Sequence, residues 1–238
     1  MKRIYEKNEL NFALIWIGLY VVLLSVADSV SGTIGVQKIV TVPVCIIMTA
    51  VIYLWIRKNG LKEKYGLCRF QGDAKAYLYF IPLVLLVSIH LWHGIKLNVT
   101  VLETILYILS MLCVGLLEEV IFRGFLFKAM CKDNVKTAII VSSITFGLGH
   151  IVNLLNGSEV VATLWQVCYA TAIGFLFTLI FHKGKGLWPC IITHSVFNSL
   201  SVFANGEARG MAGAIAISVF ICVLCIVYAL YICKKNPS

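Results

Sequence analysis

Eight apolar runs, over 11–27, 39–56, 76–92, 101–127, 137–155, 160–181, 188–204 and 211–233, divide this chain. Each has about the 17–25 residues, or slightly more, that a helix needs to cross a bilayer. With 60% hydrophobic residues, 13% charged residues and a mean hydropathy of +0.92, a soluble domain of 238 residues would aggregate, so lipid is the solvent for most of the chain. The expected fold is an all-α, polytopic membrane helix bundle of about eight transmembrane helices. It forms a single integral membrane domain over 1–238, with 101–204 as its motif-bearing helices. The first run ends in Ser25-Val26-Ala27, a faint signal-peptidase pattern, but it is longer than a signal core and reads as a retained helix.

The basic residues supply an orientation. Sixteen of the twenty Lys and Arg fall on the side of such an arrangement that carries both termini, three (Lys38, Lys96 and Arg209) fall on the other, and Arg123 lies within a span. That asymmetry predicts cytoplasmic termini. It also accounts for the net charge of +9 without nucleic acid, because the charges form short clusters between apolar runs and not one basic face. The longest polar segment, 57–75, is expected to lie along the anionic inner leaflet, and Trp55, Trp92 and Trp188 to mark interfaces. The nine cysteines are scattered, and Cys222-x-x-Cys225, inside the last apolar run, reads as packing. Asn98-Val99-Thr100 and Asn156-Gly157-Ser158 match the glycosylation pattern and read as chance matches.

The fourth run contains Glu118-Glu119-Val120-Ile121-Phe122-Arg123. One charge at the centre of a membrane helix costs at least about 2.5 kcal/mol, so three together require pairing or a function. On an α-helix Glu119 and Arg123 can pair along one face, which reads as a structural pair. Glu118 then points about 100° away, with no charged neighbour one turn off. A carboxylate without a partner in apolar surroundings is suited to moving protons, which makes Glu118 the first candidate for chemistry.

His150 lies in the fifth run and His194 in the seventh, with Asn198 four residues further on. Each alone reads as a helix–helix hydrogen-bonding residue. Counted along the helices from the nearest cytoplasmic lysine, Glu118, His150 and His194 lie about 15, 21 and 13 Å deep. Similar depth predicts a shared, water-filled cavity opening inward. Gly115, Gly124, Gly147 and Gly149 flank these residues and read as points of close helix approach, and Pro189 reads as a helix start.

In order along the chain, Glu118-Glu119 to Arg123, Phe146-x-x-x-His150 and His194-x-x-x-Asn198 resemble the three motifs of the CPBP family, membrane proteins that include the CAAX prenyl endopeptidases and bacteriocin-processing relatives. The resemblance covers roughly 115–200, and the first three runs and the last carry no family signature. It implies an intramembrane endopeptidase in which Glu118 with His150 activates a water, His194 and Asn198 stabilise the oxyanion, and Glu119, Arg123 and Phe146 support the site. The implied partner is a membrane-anchored peptide or protein (prenylated, leader or signalling peptide) met in the lipid bilayer, at the plasma membrane of a bacterium or the endoplasmic reticulum of a eukaryote. Metal dependence stays open. Glu118, His150 and His194 match a His2Glu zinc set in ligand type, whereas the His-Glu-x-x-His spacing is absent, and the reading favours no obligatory metal. The alternative is a non-catalytic membrane scaffold or bacteriocin-immunity protein of the same fold. A proton-coupled transporter ranks behind both, because no pair of broken helices recurs in two halves.

Overall fold

The computed structural model describes residues 1–154 and 157–235. Leu155, at the end of the fifth apolar run, and Asn156, in the second glycosylation match, lie outside the described residues. Among the described residues the runs become α1 (Glu9–Ile34), α2 (Thr41–Lys58), α3 (Ala74–Leu91), α4 (Val101–Met130), α5 (Val135–Leu154), α6 (Val160–Gly184), α7 (Trp188–Leu200) and α8 (Gly206–Lys235). All but α7 are long and apolar enough to cross a membrane, so the chain is a multi-pass integral membrane protein.

Seven helices meet that test where about eight were expected, because α7 is too short. α7 has 13 residues, about 20 Å, and a 3-10 turn over Ser201–Phe203 extends it. Its far end lies beside the segment before α4. Ile95 bridges Ala204, and the Asn98 amide donates to the carbonyls of Val202 at 2.8 Å and Ala204 at 3.0 Å. Those bonds give Asn98 a structural role. Its near end lies beside the end of α6, where Gln71 N–H donates to the Gly184 carbonyl at 2.9 Å. Non-helical backbone is tolerated at its near end because protein covers it: Leu187 is fully buried, and its N–H donates to the Gly66 carbonyl at 2.8 Å.

α4 is the central element. Thr100 and Glu103 close a capping box at its start, satisfying free N–H groups there. After Glu118 the helix widens into a nine-residue π segment, Glu119–Phe127, in which every residue is buried. This wider turn, rare and common at functional sites, packs against α1, α5 and α6. The acidic and basic motif therefore lies on a π-helix and not on the α-helix expected from spacing alone.

Segment 59–73 also differs from expectation. Instead of lying along a leaflet it tucks under the bundle, with Tyr65 and Leu67 buried. Tyr65 meets Phe125 edge-on at 4.9 Å, and Phe12 stacks on Trp55 at 4.8 Å and meets Phe125 at 5.1 Å. Trp55 is thus a core residue, whereas Trp92 and Trp188 are exposed. Together these rings fill the lysine-rich end of the bundle. In α3, Leu78, Tyr79 and Phe80 adopt left-handed backbone, at about 1–2 kcal/mol each, and the Tyr228 hydroxyl of α8 anchors that break by donating to the Tyr77 carbonyl at 2.5 Å.

Candidate active site

The three sequence motifs meet. Arg123 Nη1 donates to Glu119 Oε1 at 3.0 Å with both side chains fully buried, the pair expected from their spacing. The Arg123 guanidinium also lies over the Phe146 ring, 4.0 Å from its centroid. Phe146 in turn meets His150 and His194 edge-on, each with ring centroids 5.6 Å away. Gly174 leaves room for this stack, since a Cβ there would come within 3.2 Å of Arg123.

Glu118 is not left alone. The Tyr20 hydroxyl, reaching across from α1, donates to Glu118 Oε1 at 2.5 Å, and His194 Nε2 stands 3.4 Å from Glu118 Oε2. On its other side His194 Nδ1 lies 2.8 Å from Glu119 Oε1. Glu119 Oε1 accepts from Arg123, and His194 donates Nδ1–H to the same oxygen, which turns Nε2 toward Glu118. Glu118 Oε2 thus faces His194 Nε2 at 3.4 Å and has no hydrogen-bond partner among the described residues.

His150 has the opposite tautomer. The Asn153 amide donates to Gln166 Oε1 at 2.9 Å, which leaves the Gln166 NH2 facing His150 Nδ1 at 3.4 Å. An amide NH2 can only donate, so His150 carries its proton on Nε2 and is an N–H donor there. His150, the expected partner of Glu118, lines one cavity with it, and His194 stands against Glu118 as well. Tyr20, Gln166 and Asn153 complete these contacts, and none of them stands out in sequence.

Glu118, Tyr20, His150 and Asn198 line a cavity of about 360 Å³. Its floor is Phe122, and its walls lead to Asp28, Lys38, His90, Asn153 and Ser201, all toward the lysine-poor end. The lining therefore runs to the lysine-poor end and not, as expected, to the lysine-rich one. The physical reason is the aromatic filling around Phe12, Trp55, Tyr65 and Phe125, which closes the lysine-rich side. Helix approach at the site is close where glycine was expected to permit it. A Cβ on Gly115 would come within 2.7 Å of the Ser195 backbone nitrogen on α7, and one on Gly147 within 2.8 Å of the Val167 carbonyl on α6. At Gly124 the space is ordinary, and Gly149 is open.

Among the described residues no three His, Cys, Asp or Glu side chains are placed to share one metal ion.

Residues 100–200 match the family described as type II CAAX prenyl endopeptidase Rce1-like. The chain is also 26% identical over 188 residues to the protein named "Putative membrane peptidase YdiL" of Bacillus subtilis (strain 168), an overlap of 73% of this chain and 72% of that one. The motifs, their meeting at one cavity and these matches agree in direction: over residues 100–200, the stretch that carries the site, the chain is similar to the Rce1-like family.

Proposed function

We propose that this protein is an endopeptidase that hydrolyses a peptide bond of a membrane-associated peptide or protein in the cavity above Glu118. The observation that carries the reading is the line Glu119–His194–Glu118, with contacts of 2.8 and 3.4 Å, ending at an open cavity. A carboxylate set beside an oriented imidazole can take the proton of an attacking water and return it to the leaving amine. Tyr20 holds the other carboxylate oxygen, which fixes the direction in which Glu118 acts. His150, with its proton on Nε2, and the Asn198 amide supply N–H donors for the developing oxyanion. This exchanges the jobs of the two histidines relative to the family analogy: His194 serves the base, and His150 serves the oxyanion. No step is routed through a metal. With the lysine-rich end in the cytoplasm, as the charge distribution predicts, substrate enters from the opposite side of the membrane.

The test is cleavage of a library of membrane-anchored peptides by purified wild type and Glu118→Gln, read by mass spectrometry. Cleavage by wild type alone supports the reading. Full cleavage by Glu118→Gln overturns the assignment of the base, and cleavage by neither folded protein favours the non-catalytic scaffold.

A further inference from the structure

On the outside of the bundle, α3 and α7 leave a groove of about 460 Å³ between them. Its walls include Phe80, Val84 and Val87 of α3 and Trp188, Ile192 and Val196 of α7. The three α7 residues recur every fourth position, so they form one stripe about 12 Å long that starts at the lysine-rich end of the helix. The one hydroxyl on the walls, that of Thr193, is already spent, donating to the Pro189 carbonyl at 2.7 Å. A channel of this shape, apolar and open to the hydrocarbon of the bilayer, fits an extended acyl chain.

The mouth of the groove carries charge. Phe70 closes that end, and its backbone lies against the turn between α6 and α7, since a Cβ on Gly186 would come within 2.6 Å of Phe70 Cα. On either side of this contact, Gln71 N–H donates to the Gly184 carbonyl at 2.9 Å and the Cys68 thiol lies 3.7 Å from the Lys185 carbonyl. Arg69 and Lys185 are therefore carried side by side at the mouth, both exposed. Neither has an acidic partner among the described residues. Asp73, the nearest carboxylate along the chain from Arg69, caps the start of α3 by accepting from Lys75 N–H at 3.1 Å. Two unpaired cations above an apolar channel match a phosphate above an acyl chain.

We propose that this groove is a binding site for an anionic phospholipid of the leaflet at the lysine-rich end, with one acyl chain between α3 and α7 and the phosphate at Arg69 and Lys185. The site lies behind the helix that carries His194. Ile192 and Val196, two residues before and after His194, are each about 160° from it around the axis, so the lipid fills the face of α7 that turns away from Glu118. The inference stands apart from the peptidase reading, because it concerns what covers α7 from the membrane side.

The test is tryptophan fluorescence of the full-length protein in phosphatidylcholine nanodiscs, quenched by graded fractions of lipid brominated along its acyl chains. The brominated lipid is either phosphatidylglycerol, with a net negative charge, or phosphatidylcholine, with none. The signal of Trp188 is the difference between wild type and Trp188→Phe. Half-quenching of Trp188 should need about tenfold less brominated phosphatidylglycerol than brominated phosphatidylcholine. Ile192→Trp in the Trp188→Phe background reports from within the groove and should show the same preference. Ile140→Trp in that background, on an exposed position of α5, should be quenched equally by both lipids. The double change Arg69→Gln with Lys185→Gln should bring the two Trp188 curves together, with the melting temperature confirming that the protein stays folded. Equal quenching of Trp188 by the two lipids, a preference that survives the double change, or the same preference at position 140 overturns the proposal. Release of Trp188 quenching by a lipidated peptide overturns it too, since the groove would then take the substrate's anchor. All of these are read without turnover, so absence of cleavage leaves them unaffected.

Discussion

Gly115→Ala tests whether the close approach of α4 to α7 sets the geometry of the site. Inside a helix the change is ordinarily favourable by about 1 kcal/mol. Here the new Cβ would run into Ser195 Oγ and lie 2.7 Å from its N and 2.8 Å from its Cα. The hydroxyl can rotate away, but the backbone cannot. Restoring an ordinary contact of about 3.4 Å to the nitrogen requires α7 to retreat by about 0.7 Å. His194, next to Ser195 in sequence, retreats with it. Its 2.8 Å contact to Glu119 then opens to about 3.5 Å, beyond hydrogen-bonding range. Overpacking of this kind costs about 1–3 kcal/mol, so stability falls modestly where propensity alone predicts a gain. A misplacement approaching 1 Å in a catalytic constellation costs about 100-fold in rate. The assay is kcat on a cleaved membrane-anchored peptide beside the melting temperature in detergent. Gly18→Ala in α1 is the control, because nothing lies within 4 Å of a Cβ there. If Gly115→Ala matches the control in stability and keeps wild-type kcat, the reasoning from α7 to His194 is refuted.

Other substitutions probe separate parts of the site. Tyr20→Phe removes a hydrogen bond to a charged group, an interaction of about 1.5–3 kcal/mol, and should lower kcat by about ten- to a hundredfold with KM unchanged; an unchanged kcat would remove Tyr20 from the machinery. Glu119→Ala leaves the fully buried Arg123 without its carboxylate and should cost about 3–5 kcal/mol, seen as poor accumulation in the membrane. The double change Glu119→Leu with Arg123→Met should restore accumulation but not cleavage, and recovery of both would make the pair purely structural. Ser25→Cys, on the cavity wall, should react with a membrane-impermeant thiol reagent in intact cells above the unsubstituted background; labelling only in inverted vesicles would reverse the direction of access.

Much of the site is legible in the residues themselves. Charges are so costly in apolar runs that Glu118, Glu119 and Arg123 single themselves out, and four-residue spacing gives the Glu119–Arg123 pair on either an α- or a π-helix. What escapes is whatever depends on packing between distant segments. Tyr20 is one tyrosine among ten, in an apolar run where aromatic residues are unremarkable, and only the docking of α1 on α4 brings it to Glu118. The partner of Glu118 is likewise decided by which histidine the neighbouring helix presents, and depth counting ranks His150 and His194 together. The π segment has no residue signature. The cavity's direction follows from segment 59–73 folding back under the bundle, which a run of basic residues does not reveal. The shortness of α7 has the same origin, since covered backbone relieves a helix of spanning the full bilayer.

On the proposed function, the aromatic floor around Phe122 and Phe125 closes the cavity below Glu118, so peptide and products share the opening toward the lysine-poor end. Both halves of a cut peptide must leave by the way the whole one came in, so the outer fragment departs first and the inner one waits behind it. Turnover in such a chamber is governed by the slower of two successive departures. Accumulated fragments re-enter through the same opening and compete with fresh peptide, so progress curves bend early even while substrate remains abundant.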